Sequence, residues 1–262
     1  MKRRLMTGGI SALLLCGMLL TGCGSKLPAN KVNSVADLSG KTIGVQEGTT
    51  GNTLAGDIEN AKVETYAKAA DGIMALEQGK IDAVIVDSET ANAFVADHPG
   101  IRVLDEAFAE EEYAIAVGIR DKQLLDDINM ALTQLEVDGT LGSIKKNYEG
   151  DEKGQHQYEI KDVDRSKGTL VMATNAEFPP YEERVGADIV GFDVDMMNAV
   201  CDYLGYELQI SDMAFDSVIP AVESGTADVG VAGLSVTDER KVHVNFSNVY
   251  ATTNQVVIVR NN

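Results

Sequence analysis

Residues 75–87 read "ALEQGKIDAVIVD" and residues 221–233 read "AVESGTADVGVAG". The two stretches share a skeleton: Ala75 with Ala221, Glu77 with Glu223, Gly79 with Gly225, Asp82 with Asp228. In each, a helical pattern stops at a glycine and a short apolar strand follows. A helix needs a sheet to cover and a buried strand needs cover on both faces, so a chain that repeats this unit is read as two similar α/β lobes. One copy ends in Asp87 and the other in Gly233. Ligands of open α/β sheets bind outside the carboxyl ends of strands, so these two residues occupy equivalent and functionally exposed places.

The remaining segments follow the same pattern. "KTIGVQ", "IDAVIV", "IRVLDEAF", "EEEYAIAVGI", "TLVMAT", "YELQIS" and "NQVVIVRNN" read as strands. "DGIMALEQ" reads as a helix capped by Asp71, and "DKQLLDDINMALTQLEVDG" as a helix from Asp121 to a stop at Gly139. "SETANAFVADH", "TLGSIKKNYEG" and "DVDMMNAVCDYLG" read as helices, and "FDSVIPAVESG" as a helix capped by Asp216. "NAEFPPYEE" reads as a loop, and "LSVTDERK" as a loop with a Thr237 cap entering a helix. The polar stretch 151–168 reads as a linker. Alternating strands and helices predict mostly parallel sheets flanked by helices.

With 262 residues, 44% of them hydrophobic, the chain can bury a core, and its net charge of −19 makes nucleic acid a poor partner. The amino terminus stands apart. "MKRR" and the apolar run after it have the form of a signal peptide over 1–22. "LTGC" at 20–23 resembles the lipobox of bacterial lipoproteins, which implies a lipid on Cys23, a tether over 23–34 and anchoring to the outer face of the cell membrane; an uncleaved anchor is the alternative. Cys201 reads as a packed helix residue. The three histidines, His98, His156 and His243, form no metal-ligand spacing, and no cofactor is expected.

Four loops converge on the strand ends. "EGTTG" (47–51) offers glycines and hydroxyls for an anion. "VDSE" presents Asp87, which can also cap the helix that follows. "GLSVTDER" presents Ser235 and Arg240, and "NAEFPPYEE" presents Phe178 and Tyr181 beside a proline pair. Arg240 can clamp a carboxylate with two parallel bonds, Thr50 and Ser235 can add donors, and Asp87 can accept from an ammonium. Together these describe an α-amino acid whose charges must be paired once buried.

"ATNAEFPPYEE", "GFDVDMMNAV", "FDSVIPAVESGTADVGVAGLSVTDERK" and "KTIGVQEGTTG" resemble the polar amino-acid-binding lipoproteins and periplasmic proteins of ABC importers, over about residues 35 to 262. The resemblance implies a two-lobed periplasmic-binding-protein-like fold with the ligand cleft between lobes, and a monomer that delivers its amino acid to permease subunits. It implies that Arg240, Thr50 and Ser235 hold the carboxylate, that Asp87 and the Gly233 carbonyl hold the ammonium, and that Phe178 and Phe215 sandwich the side chain. Asn175, Glu177 and Gln46 would choose that side chain, with arginine, lysine, histidine and glutamine as candidates and cystine open. Gly51 departs from relatives that carry a polar side chain there.

The order of parts departs as well. The family's second lobe comes first here (35–112) and its first lobe second (113–262), as in a circular permutation. The expectation is one covalent crossover near 111–113 and a looser hinge. Two alternatives to a receptor are a dehydratase of a small carboxylate, with Glu177 as its acid or base, and a sensor acting in trans.

Overall fold

A computed structural model describes residues 27–261; the leader 1–22 and Cys23 lie outside the described residues. β-Branched and apolar runs become strands where turn residues bound them. β1 (Thr42–Gln46), β2 (Lys62–Tyr66), β3 (Ala83–Asp87) and β4 (Ile101–Val103) alternate with α1 (Thr50–Gly56), α2 (Ala69–Glu77) and α3 (Ser88–Asp97). β5 (Ala109–Gly118) leads to α4 (Lys122–Val137) and α5 (Thr140–Tyr148). Then come β6 (Thr169–Thr174), β7 (Glu177–Phe178), β8 (Glu182–Val185), β9 (Asp188–Val190), α6 (Phe192–Leu204), β10 (Glu207–Asp212), α7 (Phe215–Ser224), β11 (Val229–Gly230) and β12 (Val244–Arg260).

The strand order β10-β6-β11-β5-β12-β3-β1-β2 contains one unit twice, back to back. On one side β3 and β2 flank β1 in parallel; on the other β11 and β10 flank β6 in parallel. Between them β5 and β12 run antiparallel to each other, and each is antiparallel to the first strand of one unit. The sheet is therefore mixed, which corrects the expectation of mostly parallel strands. The chain passes between the halves through extended strands that traverse in opposite directions, and such strands can only pair antiparallel.

The same ladder overturns the single crossover. β12 pairs with β5 from Val244 to Gln255, then continues: residues 255–259 pair with β3 and 258–260 with β4. A strand of 17 residues, at about 3.4 Å per residue, is long enough to run through both halves. Residues 255–260, grouped by sequence with 113–262, thus lie among strands of the other half. Two paired crossings replace one, and the looser hinge loses its premise.

Alternation along the strands sets the core. In the first half Val84, Val86, Val256 and Ile258 face Ile73 and Leu76 of α2, while Ile85, Val257 and Val259 join Ile43, Val45 and Leu38 on the opposite face. In the second half Ile115, Val117 and Met172 meet Ile128, Leu132, Met196 and Val200, while Ala116 and Ala173 meet Val218 and Val222. Cys201 is buried in α6, where burial pushes its thiol up to about 12.

Several local readings are corrected. α2 is capped at Lys68 and α7 at Ala214, with Asp71 and Asp216 in the first turns, where an acid still favours the helix dipole. Asp121 is the N-cap of α4 but its side chain makes no cap bond. The "NAEFPPYEE" loop contributes β7 and the start of β8 to a three-stranded antiparallel sheet completed by β9. After Thr237 only a single turn forms, over Arg240–Val242. "IRVLDEAF" pairs as a strand over three residues only.

Candidate functional site

The carboxyl ends of β1, β3 and the segment after β11 meet at the β5–β12 ladder. Gln46, Thr50, Asp87, Phe178, Phe215, Gly233 and Ser235 line one cavity there, with Glu111, Tyr113 and Gln255. Its volume is about 20 Å³, room for one water-sized molecule. A groove of about 720 Å³ adjoins it, lined by Gly48, Thr50, Ser235 and Arg240 among others.

Asp87 performs the capping role. Its Oδ1 accepts from the Glu89 and Thr90 amides (2.8 and 3.1 Å), and its Oδ2 accepts from the Tyr113 and Thr253 hydroxyls (3.1 and 2.5 Å). Burial pushes its pKa up while these bonds pull it back. Gly233 has φ +53°, and a Cβ there would lie 2.6 Å from the Phe178 ring and 3.2 Å from Tyr113. Only glycine fits beneath the two rings.

Phe178 packs against the cores of both halves. It stacks on Tyr181 at 5.4 Å, and Tyr181 meets Tyr113 edge-on at 5.3 Å. Below Gly233, the Asp193 carboxylate accepts from the Gly233 amide (3.0 Å) and the Tyr250 hydroxyl (2.9 Å). Burial raises Asp193 to about 6 and lifts its neighbour Glu182 well above the usual carboxylate range.

Arg240 donates to the Ser235 carbonyl (2.8 Å) and, across to the other half, to the Gly48 carbonyl (3.0 Å). Its guanidinium lies 5.4 Å from the Phe215 ring centroid. Burial lowers its pKa and the Glu111 charge counters that. Thr49 caps α1 through the Asn52 amide (3.2 Å), which leaves the Thr50 and Gly51 amides without an intrahelical partner. A Cβ on Gly51 would lie 3.0 Å from the Gln255 side-chain oxygen, so that amide fills the space a larger residue would take.

The residues expected to choose a side chain bridge the halves. Gln46 donates to Asn175 (2.9 Å), and Asn175 donates to the Met213 carbonyl (2.8 Å). Glu177 lines neither the cavity nor the groove and pairs with Lys68 at 2.5 Å. Thr50 and Ser235 hydroxyls are 3.4 Å apart. Seven of the ten expected residues line the cavity and Arg240 lines the groove; Asn175 reaches the lining only through Gln46, and Glu177 lines neither. Sequence reasoning missed Glu111, Gln255, Thr253, Lys68 and Asp193. The first three sit on the crossing strands, and only the "EEEY" run next to a strand start hinted at one of them.

Residues 170–262 match the model of bacterial extracellular solute-binding proteins, family 3. The chain is similar to the arginine-binding extracellular protein ArtP of Bacillus subtilis (strain 168), 41% identical over 92 residues, which are 35% of this chain and 36% of that one. It is similar to a probable histidine-binding protein of Neisseria gonorrhoeae, 38% identical over 89 residues, 34% of this chain and 33% of that one. A solved arginine-bound domain 1 from TmArgBP is 36% identical, with a TM-score of 0.31, over 37% of this chain and 86% of that one. The chain spans about a third of the length of the curated relatives it matches.

Proposed function

We propose that the chain, whose residues 170–262 match the model of family 3 bacterial extracellular solute-binding proteins, is a non-enzymatic receptor. It takes a basic or polar amino acid, with arginine, histidine, lysine and glutamine as candidates, and delivers it to the permease of an ABC transporter. The carrying observation is that Asp87, from one half, and Ser235 with Gly233, from the other, line one cavity at the crossing strands.

In this reading the halves are lobes that swing about β5 and β12. Direct bonds such as Gln46 to Asn175 and Arg240 to Gly48 hold them together, and ligand entry requires them to part. Arg240, Thr50 and Ser235 then hold the carboxylate, Asp87 and the Gly233 carbonyl the ammonium, and Phe178 and Phe215 the side chain. Glu177, the carboxylate an enzymatic reading needs, is engaged by Lys68. A preference for basic ligands is supported by the relatives named for arginine and histidine binding, and Glu177 can contribute to it only when the ligand takes the place of Lys68. A lipid on Cys23, a position outside the cell membrane and a permuted order of lobes complete the proposal.

The test is a pair of variants. Arg240→Ala abolishes binding of every amino acid, whereas Glu177→Gln changes only which is preferred. Equal losses from both in calorimetric titration contradict the division of roles.

A further inference from the structure

Glu111 lies in β5 where the strand passes between the halves, and it is 8% exposed. Its Oε2 accepts the Ser235 hydroxyl at 3.1 Å and the Gln255 side-chain amide at 2.9 Å. It lines the same cavity as Thr50, Asp87 and Ser235, and its charge reaches Arg240. A buried carboxylate thus already uses a donor that the ligand carboxylate needs.

We propose that Glu111 is a built-in competitor of the ligand's carboxylate, an affinity-setting residue of the cavity. The inference rests on the reading of Arg240, Thr50 and Ser235 as the carboxylate subsite. A serine hydroxyl has one proton to donate, so Ser235 cannot serve Glu111 and the ligand together. A second carboxylate among the same donors also places like charges close together away from water, which disfavours both being ionised. Binding requires Glu111 to give up Ser235, and its return to Ser235 favours ligand release.

The experiment titrates the purified protein and Glu111→Gln with arginine and with arginine methyl ester, which lacks the negative charge. The variant gains about tenfold for arginine, the scale of one like-charge contact at an effective dielectric between water and dry protein, and little for the ester. Unchanged or weaker arginine binding overturns the proposal while the receptor reading stands, and an equal gain for both ligands overturns it likewise. Glu111→Asp keeps the charge and separates charge from packing. If it gains as much as the glutamine variant, packing explains the effect and the proposal falls. If neither protein binds arginine or any other amino acid, the receptor reading falls too.

Discussion

The two copies of the repeated unit agree in their bonds at the helix stop and at the shared aspartate, and differ along the strand that follows, five residues long in β3 and two in β11. Each helix stops at a left-handed glycine, φ +71° at Gly79 and +75° at Gly225. Beyond it the Lys80 amide returns to Ala75 (3.0 Å) and the Thr226 amide to Ala221 (2.9 Å). The shared aspartates clip the neighbouring parallel strand in the same way. Asp82 donates its amide to the Thr42 carbonyl (2.8 Å) and accepts the Thr42 amide on its carboxylate (2.9 Å); Asp228 does both with Val171 (2.9 and 2.7 Å). The copies then part. Asp87 caps α3 and gathers two hydroxyls, while Gly233 makes room for two rings. The shared positions therefore specify the scaffold, and the difference at the last position separates a polar wall from an aromatic one.

Making the second copy like the first is the harshest break. Gly233→Asp forces a side chain into the Phe178 ring at a positive φ, and we expect a loss of about 3–5 kcal/mol in urea unfolding. A loss under about 1 kcal/mol would show that the rings move aside freely. The reverse exchange is milder. Asp87→Gly removes the cap of α3 and strands the Tyr113 and Thr253 hydroxyls, at a cost of about 2–3 kcal/mol by the same measurement. The smallest contrast lies at the helix stops. A Cβ on Gly225 meets nothing within 4 Å, whereas one on Gly79 lies 2.8 Å from Pro28. Gly225→Ala should cost about 1 kcal/mol and Gly79→Ala about twice that. Equal values would mean that Pro28 yields without cost.

The parts that were legible in the sequence are the ones with local causes. The helix at 122–137 follows its own 3.6-residue period, and Gly79, Gly139 and Gly225 mark stops that depend only on backbone sterics. The residues that line the cavity, such as Gln46, Asp87 and Gly233, could be placed near one another because strand ends in α/β sheets converge, whatever the details of packing. Long-range pairing was not legible. "NQVVIVRNN" shows a strand but not that its last residues run beside β3 and β4, and no local signal distinguishes a crossing strand from a terminal one. Strands of two to four residues, as at Glu177–Phe178, are too short for a period to emerge. Glu111 escaped for the same reason: its role comes from Ser235, 124 residues away in the chain.

The measurement that bears most directly on the receptor account is calorimetric titration of the purified protein against the common amino acids, after unfolding and refolding to remove any carried-over ligand. The account predicts one-to-one binding of one or a few basic or polar amino acids. A protein that refolds cooperatively and binds none of them would contradict it.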